Sequence, residues 1–224
     1  WSGSSWDSLT RHLRSQGVTE RQAVACGLAL EGQRGGVYDR FRGRLMFPIR
    51  NVAGRVIAFG GRLVDGEGAK YINSPEGEIY SKRRNLYLLH EARSAIRERK
   101  RSILVEGYMD ALRLHLCGFP EAVASLGTSL TEDQARLLKR FSDTCYICYD
   151  SDAAGQEATL RGMYVLQELG LDVRVVSLPS GKDPDEFLLA SGGPARFEEA
   201  IANARPLILQ HLAAVRRALE SPDA

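Results

Sequence analysis

The chain has 224 residues, of which 44% are hydrophobic and 26% are charged, a composition typical of a soluble globular protein that can bury a core. No apolar run is long enough to span a membrane, and the first residues lack the basic and apolar segments of a secretory signal. The net charge of +2 conceals an asymmetry, since residues 1–101 carry a net charge of +9 and residues 102–224 a net charge of −7. This division favours a basic part that binds a polyanion and an acidic part that binds metal, although two solvated surfaces would give the same counts.

The first part of the chain predicts short helices followed by an antiparallel hairpin. Loosely helical spacing of apolar residues predicts the helices between residues 6 and 30. Apolar residues in 44–49 and 55–59, joined by a short turn that contains a glycine, predict the two strands of the hairpin. The adjacent residues Gly60 and Gly61 are expected to bend or bulge the chain after the second strand.

From about residue 90, apolar strands alternate with helices. The predicted strands cover residues 102–105, 122–125, 144–149 and 173–178. Such alternation implies a parallel sheet that is covered on both faces, and the chain from residue 184 reads as helices alone. We therefore predict an α+β fold. It comprises a small basic N-terminal α/β subdomain (1–89, truncated at its start), an α/β domain with a mainly parallel sheet (90–182) and a C-terminal helical tail (183–224).

Two of the four cysteines form a Cys-x-x-Cys pair, a spacing found in zinc and redox sites. However, Cys145 and Cys148 lie inside an apolar run, and no second pair or neighbouring histidine completes a zinc site. Because residues three apart on a strand point to opposite faces, and free cysteine packs as a small hydrophobe, we expect both to be core residues. The sequence thus predicts no zinc site and a reducing compartment.

Acidic residues follow three of the predicted strands. Glu106 follows the first strand, Asp150 and Asp152 follow the third, and Asp183 and Asp185 lie in the segment after the fourth. Ligands of open α/β sheets gather at the carboxyl ends of the strands, so this architecture brings five carboxylates to one edge. Their mutual repulsion requires a cation, and carboxylate oxygens suit Mg²⁺ or Mn²⁺.

Several of these carboxylates also have purely structural interpretations. Asp152 and Asp183 each precede a predicted helix, so either could be only an N-cap. Asp185 would then simply favour the helix dipole. Asp110, four residues after Glu106, could be a solvated helix residue or a group that supports the acidic site.

Three segments that contain these acids resemble the signatures of the Toprim domain in order and spacing. The segments are Glu106-Gly107-Tyr108-Met109-Asp110, Tyr149-Asp150-Ser151-Asp152-Ala153-Ala154-Gly155 and Gly181-Lys182-Asp183-Pro184-Asp185. Toprim domains occur in primases, topoisomerases, nucleases and recombination factors. The resemblance implies that the carboxylates hold divalent metal, with two or more ions, and that residues 90–182 form the Toprim domain.

The segment before the Toprim-like region is strongly basic. Asp39 is its single acid between residues 34 and 62. Its arginines are Arg34, Arg40, Arg42, Arg44, Arg50, Arg55 and Arg62. Because such residues bind phosphates independently of sequence, and alternation on a hairpin places some of them on one face, we predict nucleic-acid contacts by Arg44, Arg50 and Arg55. A hairpin that is merely solvated would also carry charge, but not of one sign.

Five further segments are similar to bacterial (DnaG-type) primases, and the resemblance extends over about residues 6–200. They are residues 44–50, 54–62, 70–76, 80–82 and 124–128. The resemblance implies that Arg62, Lys70 and Lys82 lie near the metal and contact phosphates of the template or the incoming nucleotide. The chain departs from the family in lacking the zinc-binding domain that usually precedes this region and the helicase-binding domain that usually follows it.

The resemblance implies a DNA-directed RNA polymerase core that builds short RNA primers on single-stranded DNA during replication. Glu106, Asp150 and Asp152 would be catalytic. The expected partners are single-stranded DNA, ribonucleoside triphosphates, the RNA primer and, through the missing C-terminal domain, the replicative helicase of the primosome, without a membrane. The expected location is the cytoplasm, at the nucleoid and replication fork. The alternatives are a Toprim nuclease or topoisomerase fragment and a non-catalytic module that binds single-stranded DNA.

Overall fold

The structure is a computed structural model. It describes residues 1–33, 35–127, 130–149, 156–179, 183–190, 192–209 and 212. Within these ranges no helix is both long and apolar enough to cross a bilayer. The chain divides into two compact units, Trp1–Lys82 and Arg83–Ala224.

The first unit combines two short helices with two antiparallel sheets. Its elements are α1 (Ser8–Ser15), α2 (Glu20–Ala25), β1 (Ala29–Glu31), β2 (Val37–Asp39), β3 (Arg44–Arg50), β4 (Val56–Leu63) and β5 (Tyr71–Asn73). Strands β1 and β2 pair with each other, and β3, β4 and β5 form a second sheet in that order. The short helices and the β3–β4 hairpin confirm the pattern predicted from the sequence.

The glycine pair of β4 differs from its prediction. Gly60 and Gly61 continue the strand in regular register with Phe47 and Met46, and the register shift lies instead between Ile49 and Arg50. A Cβ atom at Gly61 would lie 2.8 Å from a ring atom of the Phe41 side chain. This glycine therefore permits close packing on the strand rather than a bend.

The second unit is built around a five-stranded sheet. Its elements are α3 (Leu89–Arg99), β6 (Ser102–Val105), α4 (Tyr108–Leu116), β7 (Ala122–Ala124), α5 (Glu132–Lys139), β8 (Thr144–Ile147), α6 (Gln156–Glu168), β9 (Asp172–Val175), α7 (Pro184–Leu189), α8 (Gly193–Ala202) and β10 (Arg205–Pro206). A 3-10 turn at Lys82–Arg84 lies where the two units meet in the sequence.

The strand order is β10-β9-β8-β6-β7, and the four longer strands are parallel. The inner strand β6, which lies between β8 and β7, is buried along its whole length, as expected for a sheet covered on both faces. The expectation that the chain is purely helical after residue 184 is wrong in one detail, because β10 pairs antiparallel with β9. Two residues are too few to show an alternating pattern, and a proline is tolerated in an edge strand.

Both cysteines of the Cys-x-x-Cys pair lie in the core, as predicted. Cys145 and Cys148 are buried and free. Burial raises the pKa of the Cys145 thiol to about 12. Both side chains therefore act as small packing residues on and after β8.

A buried ionic network closes the amino end of the same sheet. The Glu121 carboxylate is fully buried and accepts hydrogen bonds from Arg99 and Arg101 at 2.8 and 2.9 Å. Arg101 also contacts Glu198 of α8 at 2.8 Å. The network joins α3, the starts of β6 and β7, and α8 at the end of the sheet opposite to the predicted acidic site.

Candidate active site and nucleic-acid surface

Glu106 follows β6 at the carboxyl edge of the sheet, which we define as the edge where β6, β7, β8 and β9 end. Its backbone carbonyl accepts the amide of Leu126 at 3.0 Å, and the carbonyl of Val105 accepts the amide of Ser125 at 3.1 Å. The segment after β7 therefore holds the backbone of Glu106 in place. Glu106 is half-buried.

The turn from β6 into α4 depends on Gly107 and Asp110. The carboxylate of Asp110 accepts the backbone amide of Gly107 at 3.1 Å and closes a capping arrangement at the start of α4. A Cβ atom at residue 107 would lie 2.8 Å from that carboxylate. Asp110 is also largely buried, so it is a capping residue that fixes the helix after Glu106 rather than a solvated one.

The carboxyl end of β8 is tied to the segment after β7 by a pair of hydroxyl groups. The hydroxyl of Tyr149, the residue before Asp150, donates to the Ser125 hydroxyl at 3.4 Å. Burial raises the pKa of Tyr149, and the nearby charge of Glu106 raises it further, so the phenol stays protonated. Sequence reasoning missed this bridge because the two residues lie in separate motifs, 24 residues apart, and neither motif indicates that their hydroxyl groups meet.

Asp150 and Asp152 lie outside the described residues. Within the described part of the chain, no group of three or more His, Cys, Asp or Glu residues is close enough to hold a metal ion. Of the three acids predicted to be catalytic, the structure therefore describes Glu106, which lies at the carboxyl edge.

Asp183 occupies the N-cap position of α7, and its Oδ1 accepts the backbone amide of Glu186 at 2.7 Å. Pro184 follows as the first helical residue. The capping role that the sequence left open is therefore present, and it uses one carboxylate oxygen of Asp183.

Asp185, in the first turn of α7, has a different partner. Its Oδ1 accepts a hydrogen bond from Nε of Arg113 on α4 at 2.6 Å. This contact raises the pKa of the Arg113 guanidinium. Asp185 thus joins α7 to the helix that begins just after Glu106.

The three described acids of the predicted site, Glu106, Asp183 and Asp185, do not form a metal-binding group among themselves. They do offer carboxylate oxygens, whereas Cys145 and Cys148 are buried in the core. Oxygen ligands of this kind suit Mg²⁺ and Mn²⁺.

In the first unit, the structure separates the predicted basic residues into buried and exposed groups. Arg44 is buried, and its Nη1 donates to the carbonyls of Gly61 and Ala69 at 3.1 and 3.0 Å. Arg44 therefore stabilises the β3–β4–β5 sheet, and this placement does not fit the predicted DNA contact. The physical reason is that the face of the hairpin that carries Arg44 is covered by the protein itself.

The basic residues that are exposed or half-buried lie at two ends of the hairpin. Arg55 is exposed in the turn, beside Arg50, whose Nη1 donates to the Gly54 carbonyl at 2.7 Å. At the other end, the Arg62 guanidinium lies over the Tyr71 ring, 5.8 Å from the ring centroid. Lys70, which directly precedes Tyr71 in the chain, is exposed. From the rise of a strand, Arg55 and Arg62 are roughly 20 Å apart. Lys82 is half-buried at the end of this unit, and its backbone amide donates a hydrogen bond to the Glu76 carboxylate at 2.8 Å. Arg34 lies outside the described residues.

An aromatic and cationic cluster in the same unit was not predicted. The rings of Trp6 and Tyr38 stack with their centroids 4.6 Å apart, and the Arg42 guanidinium lies 4.5 Å from the centroid of Trp6. Trp6 is 61% exposed, which is unusual for so large an apolar side chain. A tryptophan upstream of a strongly basic segment was the sequence signal that could have indicated this cluster, since aromatic faces stack on bases of single-stranded nucleic acid.

Comparison with known proteins places this chain in a family. Residues 1–93 match the model of the DNA primase catalytic core, N-terminal domain, and residues 103–188 match a Toprim-like model. A DNA primase of Clostridium acetobutylicum is 46% identical over 91% of this chain and 34% of its own length, so the chain spans about a third of that relative.

Solved structures agree with this assignment over nearly the whole chain. A DNA primase domain from Pseudomonas aeruginosa is 37% identical with a TM-score of 0.87, covering 100% of this chain and 70% of that domain. A DnaG primase catalytic domain bound to single-stranded DNA is 38% identical with a TM-score of 0.86, covering 98% of this chain and 72% of that domain. On the strength of these matches and of Glu106 at the edge of a parallel sheet, the chain belongs to the bacterial DNA primase family.

Proposed function

We propose that this chain is the catalytic core of a primase, a DNA-directed RNA polymerase that synthesises short RNA primers on single-stranded DNA. The observation that carries the proposal is that a primase-specific basic unit and a Toprim-like unit with Glu106 at its carboxyl edge occur in one chain. Template-directed incorporation of labelled ribonucleotides tests this function directly. Among the residues that the structure describes, no observation favours a nuclease, a topoisomerase fragment or a non-catalytic DNA-binding module.

In this proposal Glu106, Asp150 and Asp152 hold two or more Mg²⁺ or Mn²⁺ ions, with support from Asp183 and Asp185. Divalent ions at such a site activate a hydroxyl nucleophile and neutralise the charge of a phosphoryl group during its transfer. The 3′-hydroxyl of the primer attacks the α-phosphorus of a ribonucleoside triphosphate, and pyrophosphate leaves. Glu106 can also accept the proton of that hydroxyl, since a carboxylate serves either as a ligand or as a base.

The template and nucleotide contacts would come from basic residues of the first unit that are exposed or half-buried. Arg50 and Arg55 at the hairpin turn would bind template phosphates, and Arg62, Lys70 and Lys82 would bind phosphates of the template or the incoming nucleotide. The Trp6–Tyr38–Arg42 cluster adds a platform on which a template base stacks. Arg44 is omitted from these contacts because it is buried.

We expect binding of single-stranded DNA to weaken steeply with salt and to depend little on sequence. The plot of log affinity against log salt has a negative slope, and the magnitude of that slope decreases by about 0.7 for each phosphate contact that is lost. Arg55→Ala combined with Arg62→Ala should therefore flatten the slope by about 1.4. Fluorescence anisotropy of a labelled oligonucleotide at several salt concentrations measures this slope.

Trp6→Ala serves as the matched variant because it removes a stacking surface and no charge. It should weaken binding at every salt concentration by about 1–3 kcal/mol without changing the slope. An unchanged slope in the double arginine variant would place the template elsewhere on the protein.

The remaining parts of the proposal concern organisation and partners. We assign residues 1–89 to the basic subdomain, 90–182 to the Toprim domain and 183–224 to the helical subdomain. We propose the replicative helicase as a further partner of the protein. The protein would act in the cytoplasm, at the nucleoid and replication fork.

The third acidic segment gives a separate prediction. Asp183→Asn keeps a cap oxygen for the Glu186 amide but removes the negative charge that attracts a cation. We therefore expect an unchanged melting temperature and a higher Mg²⁺ concentration for half-maximal synthesis, with a smaller effect than Asp150→Ala. A magnesium titration that superimposes on that of the wild type would show that Asp183 only caps α7.

A further inference from the structure

The ion pair between Arg113 and Asp185 is the starting point. The two side chains lie on α4 and α7, 72 residues apart in sequence, and Nε of Arg113 is 2.6 Å from Oδ1 of Asp185. Their side chains are only 27% and 22% exposed, which distinguishes this pair from the open surface pairs of the protein. Partial shielding from water strengthens such a contact because the solvent screens it less.

In this pair, Arg113 is bonded to the carboxylate of Asp185, which the proposed function assigns to the metal site. Asp183 satisfies a backbone amide, a task that a neutral asparagine also performs. Asp185 instead faces a full positive charge, and a guanidinium does not deprotonate in proteins. A divalent cation that approaches Oδ1 of Asp185 therefore meets a permanent cation already bonded there.

We propose that Arg113 is an internal competitor of the divalent cation at Asp185, so that this pair sets the ion concentration at which the third acidic segment is filled. The inference rests on the proposed function, which assigns Asp185 to the metal site. Without metal, the guanidinium neutralises Asp185 and reduces repulsion among the carboxylates. When the ion binds, Arg113 gives up its contact with Asp185, while α7 stays packed against α4.

A purely structural role for the pair predicts the opposite result. If Arg113 only held α7 in place, its loss would misplace Asp185 and weaken metal binding. Competition predicts tighter binding when Arg113 loses its charge. The sign of the change in affinity therefore separates the two roles.

The experiment measures Mn²⁺ binding to the free protein by isothermal titration calorimetry, without nucleotide or template. Arg113→Gln should tighten binding by about two- to fivefold, the range expected from releasing one modest ion pair. Arg113→Met, which keeps the apolar stem of the side chain, should do the same and guards against a folding defect in the first variant. Circular dichroism and melting temperature establish that each variant is folded.

Arg174→Gln is the matched control, because it removes an arginine whose Nε lies 2.9 Å from Asp172 in an exposed pair on β9. It changes the net charge equally and should leave Mn²⁺ affinity unchanged. In an Asp185→Asn background, adding Arg113→Gln should produce no further tightening, because the contested carboxylate is gone.

Unchanged or weaker Mn²⁺ binding in both folded Arg113 variants would overturn the proposal. The proposal would also be overturned if Arg113→Gln tightened Mn²⁺ binding equally in the wild-type and the Asp185→Asn backgrounds. The tightening would then come only from the change in net charge. The result is independent of catalysis: a wild-type protein that binds Mn²⁺ but makes no primer would contradict the proposed function and leave the competition measurable.

Discussion

Glu106→Gln and Asp150→Ala are each expected to reduce template-directed primer synthesis by about 10²–10³-fold, the range for removing one group that stabilises charge in a transition state. Glu106 lies directly after the buried strand β6, and its backbone is held by the amide of Leu126. The Gln variant keeps the size of the side chain and removes only its charge, so the local fold should persist. Incorporation of labelled ribonucleotides at saturating Mg²⁺ measures the loss.

The matched control for Glu106→Gln is Glu199→Gln, the same chemical change at an exposed position on α8. It should leave synthesis unchanged. Both Glu106→Gln and Asp150→Ala should also bind single-stranded DNA with an affinity close to that of the wild type. Synthesis within a factor of two of the wild type in either acidic variant would remove that residue from the catalytic site.

Arg44→Ala is expected to destabilise the first unit by about 2–4 kcal/mol, because two carbonyls lose a charged hydrogen-bond donor in a buried position. The guanidinium of Arg44 joins Gly61 on β4 to Ala69, just before β5. Urea unfolding followed by circular dichroism measures the change in the free energy of unfolding.

Arg55→Ala supplies the comparison, since Arg55 is exposed in the hairpin turn. Its unfolding free energy should stay within about 0.5 kcal/mol of the wild type, while its DNA affinity falls and becomes less sensitive to salt. An Arg44→Ala protein as stable as the wild type but weak in DNA binding would restore the role that the sequence predicted for Arg44.

The burial of Arg44 and the exposure of Arg55 show what the sequence could and could not predict. Apolar periodicity predicted the hairpin, the parallel strands and the position of Glu106, because these depend on which residues are buried along one element. Alternation on β3 could not predict which face of the hairpin the protein covers, so Arg44 looked like an exposed residue. The two-residue strand β10 was missed because it is too short for any pattern.

Contacts between distant segments were also beyond sequence reasoning. The Arg113–Asp185 pair and the Tyr149–Ser125 bridge each join residues on different elements, and nothing near either residue indicates its partner. The cap at Asp183 was among the predicted alternatives because capping is local, and its partner Glu186 is only three residues away. Contacts between residues close in sequence could therefore be predicted from the sequence, whereas contacts between distant segments became visible only in the structure.

Extension of an RNA primer annealed to a single-stranded DNA template is the most direct test of the central claim, since it supplies the 3′-hydroxyl and does not require initiation. With Mg²⁺ and labelled ribonucleoside triphosphates, the 224-residue chain should extend the primer only where the template directs it, and chelation of the metal should stop the reaction. Metal-dependent cleavage of the DNA, or no template-directed extension under conditions in which the protein is folded and binds the template, would contradict the assignment as a primase core.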